Sequence, residues 1–425
     1  MKFFKKSSMV LCLSMSLALV VSACGNQSST GDSIVGKNEA AAKKTKLTLM
    51  IAWPGDEIGK KEEELVAKRF ADKYDITFKP VVDPEKTIKT TIASGEPVDL
   101  AFYWTGNMDT FVDANMALDL TPYLDANGGE WKNTFVEGTL EKGTYKGKTF
   151  SVPITPVYFM MLANKDLLDK AGVSLPDQPT WEGFKNALGT VKEKLGITPF
   201  GNSWVSWTHA GLLFSVWPDD AKLQQWSKGE IPFTDPTVVK AFDETKSIYD
   251  KEYVYPGKGA LTVTQDQILT AFKSEKIAIM AYINYQASKA VKDSGLKNVQ
   301  VLSWPYMGSR TKVPGDANGY MIPANVKHPE ASIEILKYLT STEIAQHRVD
   351  SGAPVSVKGV KISDPKVAQY AKDAGNLYVE KDINALSPKI NEYLNTKMPA
   401  NYIFDPKKTL EDLEKLRLEA IEQKK

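Results

Sequence analysis

The stretch Leu47-Thr48-Leu49-Met50-Ile51-Ala52-Trp53, followed by Pro54-Gly55-Asp56, reads as an apolar strand stopped by a turn. A helical pattern comes next, with Leu65, Val66, Phe70 and Tyr74 recurring near a 3.6-residue period and Lys and Glu filling the other face. Residues 76–82 form a second strand, 84–93 a short helix and 98–104 a third strand. Strands alternating with helices predict a parallel α/β sheet. In such a sheet ligands sit beyond the carboxyl ends of the strands. Those ends here are residues 53–56, Asp83, and residues 103–107.

Outward from this core the chain has 425 residues, which at about 100–200 residues per domain suggests two or three domains. With 42% apolar and 25% charged residues it has the composition of a globular protein, neither disordered nor polytopic in the membrane. The formal charge of +1 argues against a nucleic-acid binder. Nine Trp and seventeen Tyr are present, but only two Cys, Cys12 and Cys24. Both precede the folded body, so no disulfide staples it.

Residues 1–23 read as a secretory leader, with Lys2, Lys5 and Lys6, an apolar run from Met9 to Val21, then small residues. The run is short for a spanning helix and is interrupted by Ser14, Ser16 and Ser22. Val21-Ser22-Ala23-Cys24-Gly25 resembles the bacterial lipobox, which implies a lipid thioether on Cys24 and a protein anchored on the extracytoplasmic face of the cell membrane. Loss of the leader lysines turns the formal charge from +1 to −2. Residues 24–46 are polar and poor in aromatics, as a flexible tether should be.

Beyond residue 147 the segment from Phe150 to Leu162 is apolar and β-like, yet it holds Pro153 and Pro156. Proline forbids an uninterrupted central strand, so this segment is expected to leave one sheet and enter another. Thr180 is placed to cap a helix through Trp181, Phe184, Leu188 and Val191; Asp235-Pro236 opens another, and residues 408–423 form a surface helix. Residues 125–130 hint at a calcium loop but miss the EF-hand spacing and read as a turn.

Several segments are similar to one known family. Ile92-Ala93-Ser94-Gly95-Glu96-Pro97-Val98-Asp99-Leu100 and Tyr145-Lys146-Gly147-Lys148-Thr149-Phe150-Ser151-Val152-Pro153 match two of its motifs. Leu162-Ala163-Asn164-Lys165-Asp166 through Ala171-Gly172, followed by Pro179-Thr180-Trp181-Glu182, matches its strongest signature. Phe272-Lys273-Ser274-Glu275-Lys276-Ile277-Ala278-Ile279-Met280 resembles a fourth element. The chain thus resembles the family 1 extracellular solute-binding proteins, with Ala163 in place of the usual aromatic, Glu275 in place of the usual Gly, and Tyr282-Ile283-Asn284-Tyr285 where many members carry Gly-x-Trp. The resemblance implies an α/β fold of two lobes with a ligand cleft between them, crossed three times near residues 153–156, 319–323 and 352–355. The lobes would comprise 47–154 plus 322–351 and 155–321 plus 352–425. It further implies a monomer that binds a carbohydrate and delivers it to an ABC permease, with no cofactor and no metal.

Sugar sites pair flat aromatic faces with carboxylates and amides, because a sugar ring has an apolar C–H face and a rim of hydroxyls. Residues of these types at strand ends or crossings are Trp53, Asp56, Tyr103, Trp104, Asn107, Tyr158, Trp204, Trp207, Tyr282, Asn284, Tyr285, Asn318 and Tyr320. Trp53 and Trp104 suit either ligand contact or core packing. Trp131, Trp181, Trp217 and Trp226 read as structural, and His209 as a hydrogen-bonding group. Two rivals remain: a surface glycoside hydrolase, whose paired carboxylates leave no local signature, and a binding protein for a polyamine or an anion. No nucleophile elbow, zinc motif or phosphate loop is present.

Overall fold

The computed structural model describes residues 44–309, 311, 313–374, 377–379 and 387–423. The expected leader and the Cys24 anchor lie outside the described residues, as does the tether up to residue 43. The opening stretch forms β1 (Thr45–Met50), β2 (Tyr74–Phe78) and β3 (Leu100–Trp104), with the helices Glu57–Arg69 and Pro84–Ala93 between them. Thr45 and Lys46, expected in the tether, already belong to β1. Tyr74 is not helical: the helix ends at Phe70 and Tyr74 opens β2, where it pairs with Thr45. The strand signal at residues 79–82 is a loop instead.

Two short strands, β4 (Thr144–Tyr145) and β5 (Lys148–Thr149), pair as a hairpin, and β6 (Ser151–Asn164), β7 (Phe200–Gly201), β8 (Ile279–Ile283), β9 (Val299–Ser303), β10 (Val313–Met321) and β11 (Leu377–Val379) follow. Among the described residues the main sheet runs β2-β1-β3-β10-β6-β8-β7, with β11 beside β10 and β9 beside β6. The expected parallel pairing holds around β1, while β10 runs antiparallel to β3 and β6 though parallel to β11, and β6 runs antiparallel to β8 and β9, so the sheet is mixed.

β6 is one continuous, wholly buried strand, prolines included. Its first half pairs with β10, and residues 159–164 pair with β8 and β9. The expected transfer between pairing partners is therefore real, and the expected interruption is not. The register shifts between Asn318 and Gly319 opposite Pro153, and that irregularity lets a proline sit inside the ladder.

The family-like motifs have local physical reasons. Asn164 caps Lys165–Ala171 by accepting the Leu167 N–H, and Gly172 ends that helix at φ +72°. Thr180 caps Trp181–Leu195 in the same manner, and Asp235 caps Pro236–Asp250 with proline at the first position. Glu275 stands at φ +57°, just past Ser274, the C-cap of the helix Gln265–Lys273. Its position is a turn that wants the left-handed conformation, which explains glycine as the usual residue there.

Buried apolar side chains fall into two cores. Leu49, Val66, Phe111, Leu120, Ile335 and Leu336 belong to one, and Leu188, Phe214, Phe242, Phe272 and Ile279 to the other. Each such side chain contributes about 1.5–3 kcal/mol by leaving water. β6 feeds both, with Val152 and Ile154 in the first core and residues 158–163 in the second. Two lobes therefore share one sheet, the two-lobed α/β fold expected. Residues 125–130, which hint at a calcium loop, lie at the end of the segment Thr121–Gly129, where the helix breaks into a turn at Ala126 with Asn127 and Gly128 left-handed. Among the described residues no helix is long and apolar enough to cross a membrane, and no His/Cys/Asp/Glu group is arranged to hold a metal.

Candidate functional site

The sequence Trp53-Pro54-Gly55-Asp56 builds the first wall of a cleft. Proline at the second position and glycine at φ +83° at the third suit a type II turn, closed by the Asp56 N–H donating to the Trp53 carbonyl at 3.1 Å. The turn brings an indole and a carboxylate side by side. Asp56 then caps the helix Glu57–Arg69, accepting the Ile58 N–H at 3.1 Å. A Cβ on Gly59 would come within 2.6 Å of the Asp56 Oδ2, so the carboxylate lies directly over that glycine.

Phe102 and Trp104 alternate on β3 and so share its cleft face. Trp53 packs against both, with ring centroids 5.2 Å from Phe102 and 5.8 Å from Trp104. On the opposite side stand Val157 of β6, Ile283 at the end of β8, and Tyr285 and Gln286 of the helix Asn284–Ser294. Thr155, Asn318 and Tyr320 line the strands at the base. The enclosed volume is about 420 Å³, within the range of small-ligand sites.

Beneath Tyr320 lies a buried ion pair. Arg348 grips Glu62 in a bidentate fork, Nη2 to Oε2 at 2.6 Å, and both side chains are almost wholly buried. The Tyr320 hydroxyl donates to Glu62 at 3.2 Å and accepts from Arg348 at 3.3 Å. Burial raises the Asp56 carboxyl above its ordinary value, and the neighbouring Glu62 charge adds to that. Across the cleft, burial first and then the Asp56 charge push the Tyr285 hydroxyl up to about 12.

Of the thirteen residues the sequence singles out, Trp53, Asp56, Trp104, Tyr285, Asn318 and Tyr320 meet at this cleft. Tyr103 points to the other face of β3, where its ring packs on Phe111 at 4.7 Å and its hydroxyl reaches Glu85 at 3.1 Å. Asn107 is exposed on the turn after β3. Tyr158 is buried behind β6, its hydroxyl bonded to the Tyr370 carbonyl at 3.0 Å. Asn284 is wholly buried and bonds the β6 backbone on both sides.

Trp204, Trp207 and Tyr282 form a second aromatic group instead. Phe159 is its centre, 4.7 Å from Trp204 and 4.3 Å from Trp207, with Tyr282 at 6.5 Å from Trp204. Phe159 follows Val157 on the same face of β6 and pairs with Ile283, so this group continues the far wall of the cleft along the strand. Trp131, Trp181, Trp217 and Trp226 are buried, as expected of structural residues, and His209 lies in the core between Phe242 and Tyr402 rather than at the site.

Sequence reasoning missed Glu62 and Arg348. The signal for Glu62 exists: it precedes Val66 by four residues and Phe70 by eight, placing a carboxylate on the apolar stripe. Arg348 has no comparable signal.

The family model for "Bacterial extracellular solute-binding protein" matches residues 66–375. A binding protein of Brucella abortus (strain 2308) is 23% identical over 258 residues, 59% of this chain. The chain spans only 60% of that relative's length. The arabinooligosaccharide-binding protein of Bacillus subtilis (strain 168) is 22% identical over 348 residues, covering 78% of this chain and 76% of the relative. Among solved structures, a chitin oligosaccharide binding protein superposes with a TM-score of 0.76 at 21% identity, covering 89% of this chain and 99% of its own. A substrate-binding protein of Listeria monocytogenes in complex with cycloalternan gives 0.69 at 18% identity, with 89% and 99% covered.

Proposed function

The chain belongs to the bacterial extracellular solute-binding proteins, and from that premise we propose that it captures a sugar, an oligosaccharide in particular, between its two lobes and hands it to an ABC permease. The observation that carries this reading is the cleft wall of Trp53, Phe102 and Trp104 beside the Asp56 carboxylate. Aromatic faces suit the C–H side of a sugar ring, and a half-buried carboxylate accepts its hydroxyls. The second group, Trp204, Trp207 and Tyr282, is a platform for a further ring. What the named relatives bind supports the same class: arabinooligosaccharide and chitin oligosaccharide.

The lobes divide at about 47–154 plus 322–351 and 155–321 plus 352–425, and the chain crosses near residues 153–156, 319–323 and 352–355. The two hydrophobic cores support this division. A ligand touching both lobes favours the closed state and shifts the population toward it. Cys24 carries the lipid anchor that keeps the monomer at the outer face of the membrane. The protein is a carrier rather than a hydrolase and leaves its ligand intact. A thermal-shift screen of mono- and oligosaccharides tests the proposal. At least one sugar should raise the melting temperature of the wild type and not that of Trp104→Ala.

A further inference from the structure

The charges facing the cleft are unbalanced in one direction. Arg348 is its only cation among the described residues that line it, and the guanidinium is committed: Nε and Nη2 are bonded to Glu62, and Nη2 also reaches Tyr320. Asp56 makes no ion pair among the described residues. The push of the Glu62 charge on Asp56 outweighs the pull of Arg348. The opposite wall adds no lining charge, only Tyr285 and Gln286; Lys289, one turn further along, is bonded to Asp293 at 2.8 Å. A carboxylate with spare acceptor capacity beside aromatic faces therefore meets whatever fills the cleft.

We infer that Asp56 makes the cleft a charge filter: it accepts hydroxyls of an uncharged sugar ring held against Trp53 and Trp104, and it excludes sugars bearing a carboxylate at that ring. This rests on the sugar-binding reading above and narrows it to non-acidic saccharides. The physical basis is elementary. An anionic ligand would bring a like charge within a few ångströms of Asp56 in a partly dry site, where such pairs repel far more than in water. With Arg348 already paired, no cation among the described residues that line the cleft is left to offset it.

The test uses three pairs, each a neutral trisaccharide with an acidic counterpart: maltotriose and its C6-oxidised triuronate, xylotriose and the tetrasaccharide in which it carries glucuronic acid, and galactotriose and trigalacturonate. Affinities are measured by calorimetry for the wild type and for Asp56→Asn, since asparagine caps a helix as well as aspartate and keeps the fold. The neutral member of at least one pair should bind, with its acidic partner weaker by about 100-fold. In Asp56→Asn the gap should shrink to about tenfold or less. An acidic member binding as tightly as its neutral partner, or a gap unchanged in the variant, overturns the filter while leaving sugar binding intact. Binding of none of the six removes the sugar reading and the filter together.

Discussion

The carboxamide of Asn284 accepts the backbone N–H of Tyr158 at 3.1 Å and donates to the carbonyl of Pro156 at 2.9 Å. One side chain at the start of the helix Asn284–Ser294 thus satisfies two backbone groups of β6 close to the prolines within its ladder. Asn284→Ala should cost about 1–3 kcal/mol, since it strands buried polar groups. Urea unfolding measures this. An unchanged midpoint would mean that the clamp is not holding β6.

Trp104→Ala should weaken sugar binding about tenfold or more, through loss of a face in the cleft wall. Trp207→Ala acts on the second platform, so its effect should grow with ligand length, small for a disaccharide and large for a trisaccharide. Calorimetric titration with an oligosaccharide series checks both. Equal losses at every length would deny the two-platform arrangement.

Acid should destabilise the protein through His209. Its imidazole is buried beside Phe242 and Tyr402, and burial lowers its pKa from 6.5 to about 3. Between those values the unfolded chain binds a proton that the native state does not, so stability is complete above about 6.5 and falls with decreasing pH. Over the interval from pH 7 to pH 5 the loss from this group is about 2 kcal/mol. The stability difference between pH 7 and pH 5 should be smaller by that amount in His209→Gln. An identical difference in both proteins contradicts the assignment.

Glu275→Gly should stabilise. The Glu275 N–H bonds to Phe272 and the Lys276 N–H to Ala271, the pattern of a helix end that asks for glycine, and Gly172 occupies the equivalent place after Lys165–Ala171. Relief of the left-handed side chain should add about 1 kcal/mol. Thermal or urea unfolding reads the change, and a loss of stability would show that the Glu275 side chain contributes more than its backbone costs.

Much of the site was legible for reasons of periodicity, and much was not for the same reasons. Trp53 and Asp56 could be placed because Pro54-Gly55 specifies the turn that joins them. Tyr103 and Trp104 are neighbours on a strand, so they cannot share a face; the alternation that put Trp104 in the cleft sent Tyr103 into the core. Tyr158 follows the same rule against Val157. The strands β1 to β3 and the capped helices could be read locally. The antiparallel pairing of β10 with β6 and β3 joins residues more than 150 positions apart, and no local pattern specifies it. Arg348 is likewise 286 residues from Glu62 and meets it only through that topology.

The most direct measurement is a calorimetric titration of the soluble chain beginning after Cys24 with the oligosaccharide selected by the thermal-shift screen, followed by chromatography of the recovered sugar. One ligand per chain, with the sugar unchanged after overnight incubation and binding weakened by Trp104→Ala, is the predicted result. Release of new reducing ends, or binding that is indifferent to Trp104, would contradict it.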